Sequence, residues 1–252
     1  MPSVPPPALV LFDLDDTLFD HSLTCRAALA EVVRTEPRFT SRSLDDLWHR
    51  YEERLNASDL TLGSVGHPPR VYEEARAGRF RALASSVGWN LDTGEARAIS
   101  SLYRKQYLRL RRPVPGAVEL VRRMARTVPI GIVTNNQVAE QVEKLNFLGI
   151  SELVDHLIIS EAVGVAKPDP AIFRAALEAA HVGPRDAVMV GNSWTDDVLG
   201  AHAAGIRPVW FNRFGRARPT RHRVEEITSF RPTPPAERTI RGGPPGRRAR
   251  RR

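Results

Sequence analysis

The chain has 252 residues, with 37 Lys or Arg, 29 Asp or Glu and a single Cys, Cys25. That length holds one domain or two smaller ones with a sizeable core, and one cysteine excludes both an internal disulfide framework and a cysteine-rich zinc site. The net charge of +8 is concentrated in residues 231–252, where eight arginines stand against one glutamate, so the remainder is nearly neutral.

The first residues, Met1 to Pro7, lack a basic stretch followed by a long apolar run, so no secretory leader is expected. No apolar run approaches the roughly 20 residues of a membrane-spanning helix. The expected location is the cytoplasm. Ala8-Leu9-Val10-Leu11-Phe12-Asp13 is a short apolar run ending in an acid, which predicts a buried strand. From about Ser22 to Arg112 the apolar residues recur at helical spacing. They fall in four groups: Leu29, Val32 and Val33; Leu44 to Leu55; Val71 to Val87; and Ile99 to Leu110. The Gly- and Pro-bearing stretch Leu60–Pro69 predicts a loop between the second and third helices.

After Pro113-Val114-Pro115-Gly116 strands and helices alternate. Strands are expected at Pro129–Thr134, Val154–Ser160, Ala187–Gly191, Arg207–Phe211 and Val224–Ile227. Helices are expected at Val138–Leu148, Pro170–Ala180 and Thr195–Ala204. This alternation predicts parallel βαβ units. The expected fold is therefore α/β, a Rossmann-like parallel sheet built from residues 1–20 and 113–230, with an α-helical domain inserted at 21–112. Residues 231–252, with five Pro and three Gly, are expected to be a disordered basic tail. Its arginines could touch a polyanion. Arg outnumbers Lys 34 to 3 along the whole chain, which favours a compositional origin, and no nucleic-acid-binding motif accompanies the tail.

Open parallel sheets bind ligands at the carboxyl ends of their strands. Asp13, Thr134 and Asn192 all sit at such ends, far apart in sequence and expected to converge. Asp13 and Asp15 follow the first strand two residues apart, so an extended chain would send both carboxylates to one side. One carboxylate can attack phosphorus, and its neighbour can protonate the leaving oxygen and later activate water. Asp16 and Thr17 are also good helix-capping types. Thr134 and Asn135 end another strand with groups that can hydrogen-bond phosphate, although the pair is also ordinary turn chemistry. Lys167, one of three lysines, precedes a helix opened by Pro170 and could neutralise a transferring phosphoryl group. Asn192, Asp196 and Asp197 are hard oxygen donors suited to Mg²⁺, and the two acids also suit the first turn of a helix.

Taken in this order, the four segments resemble the phosphatases of the haloacid dehalogenase superfamily, in the subgroup with a helical cap inserted after the first motif (subfamily IA type). The resemblance spans about residues 8–230. It implies Asp13 as nucleophile and metal ligand, and Asp15 as general acid/base with its backbone carbonyl on the metal. It implies Thr134 and Asn135 as phosphate-binding, Lys167 as the charge-neutralising amine, and Asn192 with Asp197 completing a Mg²⁺ site. Two departures stand out: Asn192 occupies a position where Asp is usual, and Thr134-Asn135-Asn136 replaces the common Thr-Asn-Gly. The dehalogenases of this superfamily lack an acid two residues after the nucleophile, so Asp15 favours phosphoryl transfer. The resemblance implies a Mg²⁺-dependent phosphatase acting on a small phosphorylated metabolite through an aspartyl phosphate, with no membrane partner. The alternatives are a phosphomutase, a dehalogenase, or a non-catalytic protein that binds a polyanion through its tail.

Overall fold

The computed structural model describes residues 6–62, 67–221 and 224–242. Two compact units emerge, one of Met1–Asp20 with Pro113–Arg252 and the other His21–Arg112. The first begins with β1 (Leu9–Phe12); the second holds α1 (His21–Thr35), α2 (Leu44–Leu62), α3 (Pro69–Ser85) and α4 (Thr93–Leu110). The first unit resumes with α5 (Ala117–Met124), β2 (Ile130–Thr134), α6 (Val138–Leu148), β3 (His156–Ile159), α7 (Ser160–Val163) and α8 (Pro170–Ala180). It ends with β4 (Ala187–Gly191), a π-helical turn at Trp194–Leu199 running into α9 (Gly200–Ala203), β5 (Arg207–Phe211), β6 (Glu225–Ile227) and α10 (Thr233–Ile240).

All six strands join one parallel sheet in the order β3-β2-β1-β4-β5-β6. This is the Rossmann-like α/β core, with the helical unit inserted between β1 and β2. Every residue of β1, β2 and β4 is buried, which is why these strands are near-continuous apolar runs. Leu9, Leu11 and Met189 pack with Ile172, Phe173 and Ala176 of α8 in one core cluster. Successive strands lie to either side of β1, so the strand order reverses there and opens a crevice at the carboxyl ends of β1, β2 and β4. The chain leaves and re-enters the core side by side: the Val114 N–H donates to the Leu18 carbonyl at 2.9 Å.

The helical unit is held by an aromatic interior. Tyr51, Phe80 and Tyr103 lie with ring centroids 5.3–5.4 Å apart, and Tyr107 extends the cluster. The helix α4 starts at a capping box, Asp92 accepting from the Glu95 N–H and Glu95 from the Asp92 N–H. The expected loop at 60–69 is shorter than its composition suggested, since α2 runs to Leu62 and α3 opens on Pro69; residues 63–66 lie outside the described residues.

The stretch after residue 230 needs correction. Residues 233–240 form α10, with Thr233, Ala236 and Ile240 buried. Pro234 and Pro235 fall in its first turn, where a missing N–H costs nothing. Phe230 stacks on Phe211 at 4.0 Å, and Glu237 accepts from Arg123 at 3.0 Å. A few well-spaced contacts fold a segment whose overall composition is poor in apolar residues. Residues 243–252, with most of the terminal arginines, lie outside the described residues. No helix among the described residues is long and apolar enough to cross a membrane.

Candidate active site

The end of β1 sets the site. Asp13 continues the strand by donating its N–H to the Val190 carbonyl at 2.9 Å. Beyond it the chain turns back: Asp16 adopts φ 60°, and the N–H groups of Leu18 and Phe19 both return to the Leu14 carbonyl. The carboxylates of Asp13 and Asp15 therefore leave a tight loop and face different partners, where an extended chain would have sent them together.

Asp13 is buried. Its Oδ2 accepts from Thr17 Oγ1 at 2.7 Å and its Oδ1 from Lys167 Nζ at 2.7 Å. The same ammonium donates to Asp197 Oδ1 at 2.6 Å, while Asp197 Oδ2 accepts from the Ser193 N–H at 2.8 Å. Two carboxylates thus share one lysine in the interior. Burial pushes Asp13 up to about 7, against the pull of Lys167 and with a further push from Asp197. Burial also raises Asp197 above the usual carboxylate range. Burial disfavours the charge of Lys167 too, yet its two acid partners hold it above an ordinary lysine. Two buried acids against one base leave a deficit of positive charge, which a cation would remedy.

Gly191, the last residue of β4, makes this arrangement possible. A Cβ built there would lie 2.3 Å from the Asp197 carboxylate. The π-helical turn brings Asp197 back against the strand end, with Ser193 as its cap accepting from the Asp196 N–H. The Asp196 carboxylate accepts from Ser193 Oγ at 3.0 Å. Asp197, expected among the metal ligands, accepts from Lys167 at one oxygen and from the Ser193 N–H at the other. Asn192 does face the first motif: its Oδ1 accepts from Thr17 Oγ1 at 3.3 Å, and its carbonyl accepts from Trp210 Nε1 at 3.1 Å.

From β2, Thr134 is buried and Asn135 follows. The Asn135 side chain pairs twice with the backbone of Lys167, accepting from its N–H at 2.8 Å and donating to its carbonyl at 3.0 Å. That amide holds the lysine loop against the end of β2. Two residues escaped the sequence reading. Gln141 Nε2 of α6 touches Thr134 Oγ1 at 2.6 Å, Asp15 Oδ2 at 3.1 Å and the Asn135 carbonyl at 3.2 Å. Lys144 Nζ donates to both oxygens of Asp15 at 2.7 Å. Burial is what singles them out: Gln141, Lys144, Leu145 and Leu148 form the buried stripe of α6, and two of its four positions are polar.

Asp13, Thr17, Thr134, Asn135, Lys167, Asn192 and Asp197 thus meet at the carboxyl ends of β1, β2 and β4, with Asp15 tied in through Gln141. Among the described residues no cluster of three or more His, Cys, Asp or Glu side chains forms a cage for a metal ion. The donor set nevertheless fits Mg²⁺, which takes one or two carboxylates and completes its shell with other oxygens and water. Asp13 Oδ2 and Asn192 Oδ1 converge on one hydroxyl, that of Thr17.

Residues 7–205 match the family model of the haloacid dehalogenase-like hydrolases. The chain belongs to that family. It is a hydrolase with the family's fold. It is 36% identical over 220 residues to the pyrimidine 5'-nucleotidase YjjG of Escherichia coli, covering 83% of this chain and 88% of that one. To the glyceraldehyde 3-phosphate phosphatase of Pyrococcus abyssi it is 39% identical over 209 residues, covering 82% of each. The magnesium-bound HAD-hydrolase YfnB of Bacillus subtilis superposes with a TM-score of 0.71 at 21% identity, over 90% of this chain and 97% of that one.

Proposed function

We propose that this hydrolase is a Mg²⁺-dependent phosphatase that cleaves a small phosphomonoester by way of an aspartyl phosphate on Asp13. The observation that carries the reading is the double ion pair of Lys167 with Asp13 and Asp197, next to a second acid, Asp15, that Gln141 ties to Thr134. The relatives named for nucleotidase and phosphatase activity support the same reaction class.

In this reading a carboxylate oxygen of Asp13 attacks phosphorus. The bond from phosphorus to the ester oxygen breaks, and Asp15 gives that oxygen its proton. Water then attacks the phosphoryl group, Asp15 takes the water's proton, and Asp13 returns as a carboxylate with release of inorganic phosphate. Thr134 binds the phosphoryl oxygens. Lys167 neutralises charge on them and, with Asp197 and Asn135 fixing its position, orients Asp13. Asp13, the carbonyl of Asp15 and Asn192 would hold Mg²⁺, which supplies positive charge to the phosphoryl oxygens and to the buried acids. Asp197 serves that site through Lys167 and the Ser193 backbone. Substrate choice falls to the helical unit, residues 21–112, as the cap.

Phosphate release from p-nitrophenyl phosphate, with and without Mg²⁺, tests this. Wild-type protein should turn over only with the cation, and Asp13→Asn should lose at least about 10³-fold while keeping its fold. Turnover by Asp13→Asn near the wild-type rate would overturn the reading.

A further inference from the structure

Burying a lysine and a glutamine on the inward stripe of a helix is costly unless both are well partnered. Gln141 and Lys144 are 0% and 3% exposed, whereas Val138, Val142 and Phe147 of the same helix are 37–38% exposed. Leucine at both inward positions would serve packing alone. Gln141 Oε1 is even buried with no partner among the described residues. The polar contacts all run to one place. Lys144 Nζ grips both Asp15 oxygens at 2.7 Å, and its ammonium lies 5.5 Å from the centre of the Phe19 ring. Phe19 is itself buried and meets Phe147 of α6 edge-on at 6.1 Å. Gln141 reaches Asp15 and Thr134 with the same nitrogen.

We infer that Lys144, assisted by Gln141, is a positioning residue for Asp15: α6 braces the acid/base carboxyl at a fixed distance from the phosphate-binding Thr134. The inference rests on the phosphatase reading and adds a residue to it. A carboxyl that hands a proton to a leaving oxygen acts only within hydrogen-bond reach of that oxygen, so a slack carboxyl loses rate even when chemically intact. The brace needs a side chain long enough to cross from the helix to the β1 loop and a head that grips both carboxylate oxygens. Lys144 has both.

The test compares two esters of nearly equal size on the same preparation. Phenyl phosphate releases a strongly basic phenolate that needs a proton. p-Nitrophenyl phosphate releases a weakly basic one that departs unaided. In Lys144→Met, kcat/KM for phenyl phosphate should fall about tenfold further than kcat/KM for p-nitrophenyl phosphate. Lys144→Arg, which can still grip Asp15, should bring the ratio back to within about threefold of wild type. The ratio is independent of how much of a preparation is folded. An equal fall for both esters in Lys144→Met, or loss of all activity in both variants, would assign Lys144 to the fold and overturn the inference. Wild-type protein that cleaves neither ester would instead overturn the phosphatase reading, and this inference with it.

Discussion

Lys167 and Asp13 meet at 2.7 Å across 154 positions of sequence, with side chains only 3% and 8% exposed. Asp197 closes the other side of the same ammonium. Removing the ammonium strands two buried carboxylates. Lys167→Met should therefore cost about 3–5 kcal/mol of stability in denaturant titration, as well as abolishing activity. A loss below about 1 kcal/mol would mean that the pair is solvated and easily rearranged.

Gly191→Ala tests the geometry of the fourth motif without replacing a charged residue. The new methyl would collide with the Asp197 side chain and force it to shift. Overpacking of this kind costs about 1–3 kcal/mol, and a shifted Asp197 would release Lys167 as well. Activity should fall with stability. Gly78→Ala is the control: it lies inside α3 with nothing within 4 Å of the new Cβ, and should gain about 0.5–1 kcal/mol in the same titration.

The strands and helices that carry the core were legible because each signals itself locally. Ala187–Gly191 is an apolar run closed by Gly, and Pro170–Ala180 opens on Asp169-Pro170; the expected bounds of both coincide with those observed. The convergence of Asp13, Thr134 and Asn192 was legible from the rule that parallel strands deliver their ends to one edge. The partners of each group were not. Asp197 reads in sequence only as an oxygen donor, and its pairing with Lys167 emerges from its approach over Gly191. Lys144 stands out only once burial places it on the inward stripe of α6. The helix α10 was hidden by composition, because three buried residues spaced along Thr233, Ala236 and Ile240 suffice to dock it among prolines and arginines.

That helix makes its own prediction. Ile240 is fully buried and Arg241 donates to Thr127 Oγ1 at 2.6 Å. Ile240→Ala should cost about 2–4 kcal/mol, and ending the chain at residue 230 should lower the thermal midpoint measurably. An unchanged midpoint on truncation at 230 would show that α10 contributes nothing to the core.

The raised carboxyl of Asp13 predicts a pH signature. With a value near 7 in the folded protein and an ordinary value of 3.8, the folded form holds a proton that the unfolded chain releases. The stability from this group is full below pH 3.8 and is lost as pH rises through about 7. In chelator, wild-type protein should therefore lose stability between pH 5.5 and 8 more steeply than Asp13→Asn. Mg²⁺, which favours the ionised acid, should raise the thermal midpoint more at pH 8 than at pH 5.5. Parallel pH profiles for the two proteins would contradict the assignment.

The most direct measurement is the covalent state of Asp13 during turnover. Rapid acid quenching with a phosphomonoester labelled in its phosphoryl group, followed by peptide mapping, should place the label on the peptide carrying Asp13. The label should be labile to hydroxylamine, as an acyl phosphate is, and absent from Asp13→Asn. Label on a different residue, or full turnover by Asp13→Asn, would contradict the account.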